Sequence, residues 1–175
     1  MTRLILLALV GVLAFPVLAS CSRDTVPEEH LPHIRKAAKT CKAITPELLA
    51  AQLAQESGWD PAAESPVGAQ GIAQFMPQTW SSWGSDADGD GVADPFSPPD
   101  AIRSQGRLMC HLHGLAKASN IAGDPLDLAL AAYNAGWGSV EEYGGIPPFP
   151  ETTDYVKEVQ ERAERIAGQL AKNNN

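Results

Sequence analysis

Positive charge is scarce in this chain: 13 Lys and Arg face 21 Asp and Glu, a net charge of −8 over 175 residues. Such an acidic surface excludes the basic tracks that bind nucleic acid and the polybasic patches that hold anionic lipid. It offers no long-range pull on a polyanionic substrate either, so any such ligand is held by local contacts. The four histidines form no usual zinc frame: His30 and His33, and His111 and His113 beside Cys110, have the wrong spacings. Surface or packing roles suit them better. No phosphate-cradling glycine loop, no serine-histidine-acid set and no internal repeat stands out. Period-two alternation is missing too, which leaves a mainly α chain, long enough for one domain with a real core.

The first twenty residues differ from the rest. Arg3 is their only charge, and Leu4 to Ala19 is almost unbroken apolar sequence. That run is short for a membrane span and has the charged start and apolar centre of a secretion signal. A buried core helix is the alternative, and the absence of any polar face speaks against it. The run ends Leu18-Ala19-Ser20-Cys21, which resembles the lipobox of bacterial lipoproteins. The resemblance implies lipidation of Cys21 and an extracytoplasmic protein tied to a bacterial membrane. An ordinary cleaved signal is the plainer alternative. With Cys21 carrying lipid, Cys41 and Cys110 remain of the three cysteines. Outside the reducing cytosol they pair most simply as a disulfide, with two buried free thiols as the alternative.

Beyond a tether through Glu29, the spacing of Leu31, Ile34, Ala37 and Ala38 predicts a helix over His30 to Lys42. Thr45-Pro46 starts the next, with an N-cap and a proline at the first helical position, and Gly58 stops it. From Pro61 to Pro99 the chain is rich in Gly, Pro, Ser and Asp and reads as a long loop, with a short helix at Pro77 to Trp83. Loops of that length in compact domains are usually functional or disordered. Asp100 is expected to cap a helix reaching Ala118. Further helices are expected at Pro125 to Tyr133, around Val140, and from a Thr152 cap to Ala171.

Three stretches carry the chemistry. Glu56 follows Leu49 by seven residues and Leu53 by three, so it shares their apolar face at a helix C-terminus. Burial and the carbonyl end of the helix both disfavour its anion, the condition for an acid that stays protonated near neutral pH. A surface glutamate in an ion pair is the bland reading of the helix alone. Gly68-Ala69-Gln70-Gly71-Ile72-Ala73-Gln74 offers a backbone that can approach a ligand, or simply a turn. Ala132-Tyr133-Asn134 adds a phenol and an amide.

With Glu56-Ser57 and the later Glu151-Thr152-x-x-Tyr155-Val156, these stretches resemble the four successive motifs of the soluble lytic transglycosylases, relatives of goose-type lysozyme. The resemblance covers roughly Ile44 to Val159. Ala73 stands where the family commonly has methionine. The resemblance implies a lysozyme-like helical domain over residues 30–172, behind a signal peptide at 1–20 and an anchor and tether at 21–29. It implies Glu56 as the single catalytic acid, Ser65 and Gln74 as contacts to an N-acetylmuramyl sugar, and Tyr133 as the tyrosine that orients the acid. Asn134 is a groove contact or a structural residue, and Tyr155 a groove residue or core packing. The partner is then peptidoglycan, the anchor the only membrane link, the protein a monomer, and no cofactor enters the chemistry.

Glycosidases usually set two acids 5–10 Å apart, yet no acid lies between Glu64 and Asp86. That gap fits a one-acid reaction closing a 1,6-anhydro ring. A hydrolase of the same fold and an inert glycan binder are the rivals. Finally, Asp86, Asp88, Asp90, the Val92 carbonyl and Asp94 repeat the first part of an EF-hand loop, with Gly91 at the sixth position. Ser97 replaces the closing glutamate, and Asp100 stands three residues on. A structural calcium and a bare acidic turn are the two readings.

Overall fold

The computed structural model describes residues 24–172. The expected signal peptide at 1–20 and the lipidation site at Cys21 lie outside the described residues. A 3-10 turn at Glu28–His30 leads into seven α-helices: α1 (Leu31–Ala38), α2 (Pro46–Glu56), α3 (Pro77–Trp83), α4 (Pro98–Ala118), α5 (Pro125–Ala135), α6 (Trp137–Tyr143) and α7 (Pro150–Lys172). Among the described residues the only β pairing is two isolated bridges, Glu64 with Gln70 and Gln70 with Phe75. The mainly α reading holds.

α2 is the central post. Thr45 accepts a hydrogen bond from the Leu48 N–H at 3.2 Å, and Pro46 sits where no amide is needed. Every residue from Leu48 to Ala54 is buried. A helix apolar all round belongs inside, and α2 is packed between α1, α4 and α7. α7 is the opposite case. Thr152, Tyr155, Val156, Val159 and Ile166 form one buried stripe against α2 and α5, and the remaining faces are charged and open.

α1 is held to α4 at two points one turn apart. At Gly106 an added Cβ would come within 3.0 Å of the Ala37 carbonyl oxygen, so any larger residue would push the two segments apart by a few tenths of an ångström. Cys41 and Cys110 form a disulfide with their Cα atoms 6.0 Å apart across 69 residues of sequence. α1 ends at Ala38, four residues before the expected Lys42. Lys39 and Thr40 tighten into i→i+3 bonds with Lys36 and Ala37, and the chain leaves the helix just before Cys41 reaches across.

Two expected caps lie inside their helices. Pro98 and Pro99 start α4 behind Ser97, so Asp100 falls in the first turn. Pro150 likewise starts α7 two residues before Thr152, whose hydroxyl donates to Asn134 Oδ1 at 2.7 Å. In both cases the prolines, which lack an N–H, open the helix earlier than the polar residue would.

Candidate active site

α2 ends at Glu56, and Gly58 (φ 64°) turns the chain out of the helix. Trp59 follows at φ 77°, and Gln74 sits at φ 49°. A non-glycine residue in the left-handed region costs about 1–2 kcal/mol and persists only where its surroundings hold it. Ser57 helps, donating its hydroxyl to the Ile72 carbonyl at 2.9 Å and so tying the end of α2 to the glycine loop. At Gly71 (φ 72°) an added Cβ would lie 1.8 Å from the Pro95 carbonyl oxygen. The glycine there lets the 68–74 loop lie directly on the acidic loop.

Between this loop, α5 and α7 lies a cleft of about 500 Å³ whose lining includes Glu56, Ser65, Gln74, Tyr133, Asn134 and Tyr155. The residues singled out from four separated motifs, with Ser65, thus share one cavity. Ser65 accepts the Ala69 N–H at 2.9 Å on its hydroxyl oxygen, which leaves the hydroxyl proton for a ligand. Gln74 donates its amide to the carbonyls of Gly71 (2.9 Å) and Ala63 (3.2 Å), turning its own oxygen outward. Asn134 accepts from Thr152 and so joins α5 to α7 while its amide group borders the cleft.

The hydrogen bond to the acid comes from Tyr155, not Tyr133. Tyr155 donates to Glu56 Oε1 at 2.5 Å, while Tyr133 donates to the Ala73 carbonyl at 2.8 Å. Tyr133 still closes the cleft wall, packed edge-on to Phe75 with ring centroids 6.2 Å apart. Burial, reinforced by Glu56, holds both phenols well above their ordinary pKa, so both remain donors.

Glu56 keeps one edge open to the cleft and is otherwise packed round. Burial pushes its carboxyl from an ordinary 4.5 up to about 7; the Tyr155 bond pulls down against this and Glu151 adds to it. Near neutrality the acid is therefore divided between its two forms, able to give a proton and to take one back. Sequence reasoning missed the cleft's other carboxylates. Glu151, Asp154 and Glu158 line it from the exposed face of α7, at a spacing of three and four that marks one helical stripe. Their periodicity was legible, but nothing in it told which way the stripe faced.

In the acidic loop, carboxylate oxygens of Asp86, Asp88 and Asp100 lie within 4.8 Å of one another. Asp100 is fully buried, accepting from the N–H groups of Ala87 (2.7 Å) and Asp94 (3.0 Å). Asp90 and Asp94 lie outside this group, and each turns an oxygen to a nearby amide, of Val92 and Phe96. Asp88 accepts the Ser97 hydroxyl at 2.9 Å, a bond that holds its carboxyl below the ordinary range.

Protonation of Glu56 has a thermodynamic signature. Between about 4.5 and 7 the folded chain keeps a proton that the unfolded chain releases, so this group favours folding at low pH and loses that contribution as pH rises through about 7. Glu56→Gln removes the dependence. In urea unfolding the variant is expected to exceed the unaltered protein by on the order of 3 kcal/mol at pH 8 and to match it near pH 4. An equal difference at both pH values would show that Glu56 is an ordinary carboxylate.

A family model described as the transglycosylase SLT domain matches residues 33–156. Among curated relatives, the membrane-bound lytic murein transglycosylase F of Serratia proteamaculans is 35% identical over 100 residues, 57% of this chain and 19% of that protein. The one from Saccharophagus degradans is 35% identical over 127 residues, 69% of this chain and 23% of that protein. The chain thus spans about a fifth of the length of these relatives. Among solved structures, an inactive glutamate-to-glutamine mutant of the lytic transglycosylase Slt from Pseudomonas aeruginosa superposes with a TM-score of 0.65 at 26% identity, over 83% of this chain and 25% of that one. The 70 kDa soluble lytic transglycosylase of Escherichia coli, at TM-score 0.64 and 24% identity over 83% of this chain and 25% of that one, shows the same fold. The helical frame, the cleft and the family match agree: this chain belongs to the transglycosylase SLT domain family.

Proposed function

We propose that the protein is a peptidoglycan lytic transglycosylase that cuts the β-1,4 bond between N-acetylmuramic acid and N-acetylglucosamine. The observation that carries this reading is Glu56 itself: a carboxyl at about pKa 7, facing a cleft, with one oxygen already engaged by Tyr155. The free oxygen is the natural proton carrier. Glu56 protonates the linkage oxygen, the bond to the muramyl C1 breaks, and its electron pair leaves with the glucosamine O4. The muramyl N-acetyl group, or the polar cleft, stabilises the cationic C1. Glu56, now a carboxylate held by the Tyr155 proton, takes the proton of the same sugar's C6 hydroxyl, and O6 closes on C1. Glu56 ends as it began, and no water is consumed. Ser65 and Gln74 are assigned to hydrogen bonds with the sugar, Tyr133 and Asn134 to shaping the cleft, and Tyr155 to setting the acid. The relatives' names support this reading, as does the inactivity of the glutamate-to-glutamine mutant of the Pseudomonas protein.

A hydrolytic outcome has one observation in its favour. Glu151, Asp154 and Glu158 bring further carboxylates to the cleft, any of which is chemically able to activate a water. We place the protein in the cell envelope as a monomer acting on glycan strands, residues 30–172 forming the enzymatic domain and lipid on Cys21 the anchor. No helix among the described residues is long and apolar enough to cross a membrane, and the relatives are named membrane-bound. We also infer a structural calcium ion on Asp86, Asp88 and Asp100, pinning the loop that Gly71 rests on. It takes no part in the chemistry.

Muropeptides released from purified peptidoglycan, weighed by mass spectrometry, test the reaction. Fragments one water lighter than reducing muropeptides, lost in Glu56→Gln, are expected; reducing fragments would mean hydrolysis, and no release would leave a glycan-binding module. For the ion, calcium added to chelator-stripped protein is expected to raise the melting temperature, and Asp86→Asn is expected to abolish the rise. A melting temperature indifferent to calcium would leave the loop a bare acidic turn.

A further inference from the structure

One turn before Glu56 on the same face of α2, where the pattern of neighbours calls for leucine, stands Gln52, fully buried. A primary amide in a core costs free energy unless both ends find partners. Gln52 Nε2 donates to the Tyr155 hydroxyl oxygen at 3.2 Å and to Met109 Sδ at 3.4 Å, and its Oε1 receives Gln105 Nε2 at 3.5 Å. Gln105 Nε2 also reaches the Leu49 carbonyl at 3.5 Å.

These contacts have a direction. A backbone carbonyl only accepts, so Leu49 draws the amine end of Gln105 towards itself. That end then faces an oxygen of Gln52, which turns the Gln52 amine to Tyr155. With an N–H arriving at its oxygen, the phenol has its single proton left for Glu56 Oε1, 2.5 Å away. The orientation has a cost, since Gln105 Oε1 is buried without a hydrogen-bond partner among the described residues. The reverse orientation of Gln52 would present an oxygen to the phenol and draw its proton away from the acid.

We propose that Gln52 is a positioning residue for the acid step, fixing the Tyr155 hydroxyl so that its proton is always directed to Glu56. The inference rests on Glu56 acting as the acid of the reaction proposed above. The bond from Tyr155 matters most when charge develops on Glu56 as its proton leaves, so Gln52 acts on turnover rather than on substrate binding. The other groups facing the acid are Tyr133 from α5 and Glu151 from α7, with Asp154 and Glu158 farther along the cleft. None of these touches Gln52 in the hydrogen-bond network, so their effects stay constant when Gln52 changes.

The test is a double-mutant cycle on pH–rate profiles of glycan cleavage. Gln52→Met keeps the volume and removes the donor; Tyr155→Phe removes the hydroxyl. The Tyr155 bond holds the Glu56 pKa down, so weakening it raises that pKa and moves the alkaline limb upward. Gln52→Met is expected to lower kcat roughly three- to tenfold at unchanged KM, the worth of one hydrogen bond, and to lift the limb by roughly half a unit. In the Tyr155→Phe background it is expected to shift the limb no further. A limb unmoved by Gln52→Met, or one moved equally in both backgrounds, would make Gln52 a mere packing residue. Should Gln52→Met not fold, Gln105→Met loosens the same chain from its far end and is read the same way. Inactivity of the unaltered protein would instead sink the enzymatic reading itself.

Discussion

The structure turns on one placement: a carboxyl group at the last residue of a helix whose stretch from Leu48 to Ala54 is wholly inside. α2 can be buried all round because its side chains from Leu48 to Ala54 are apolar or, at Gln52, satisfied within the core. Its end must emerge somewhere, and it emerges into the cleft. The same burial that stabilises the helix raises the proton affinity of Glu56, so packing and chemistry are one energetic fact rather than two. The surrounding parts serve that end. Gly58 and Trp59 turn the chain away, Ser57 ties the turn to the glycine loop, and α7 carries Tyr155 to the carboxyl from a distant part of the sequence.

The loop between α2 and α4 has little apolar surface of its own and is held by specific contacts instead. Ile72 and Phe75 anchor it in the core, Phe75 packed edge-on to Trp80 and Tyr133. The acidic stretch lies over Gly71 and is fastened from beneath by buried Asp100 and from the side by Trp80 Nε1, which donates to the Ala93 carbonyl. A wall built this way keeps Ser65 and Gln74 at fixed positions on the lining of the cleft.

Much of this was legible in the sequence. Thr45-Pro46 marked the start of α2, Gly58 its end and Pro77 the short α3, because capping and proline effects are local. The pairing of Cys41 with Cys110 was the simpler of two readings once Cys21 was set aside for lipid, two free thiols being the other. Local rules failed where two of them competed. Asp100 and Thr152 have the chemistry of caps, but prolines upstream opened both helices first, and each side chain became a cross-link instead. The tyrosines show the deeper limit. Motif order assigned the acid to Tyr133, whereas the register of α7 against α2 gives that bond to Tyr155. Gln52 was invisible for the same reason, since its partners lie 53 and 103 residues away. Periodicity locates a face, and only packing says what that face meets.

The account stands on Glu56 holding its proton near neutrality, and that is directly measurable. Carbon-13 NMR of glutamate-labelled protein, with the Glu56 carboxyl assigned by its disappearance in Glu56→Gln, follows the group through its titration. The account predicts a midpoint near 7. A midpoint near 4.5 would mean that the packing around α2 leaves the carboxyl an ordinary anion, and the acid role would have to pass to another residue.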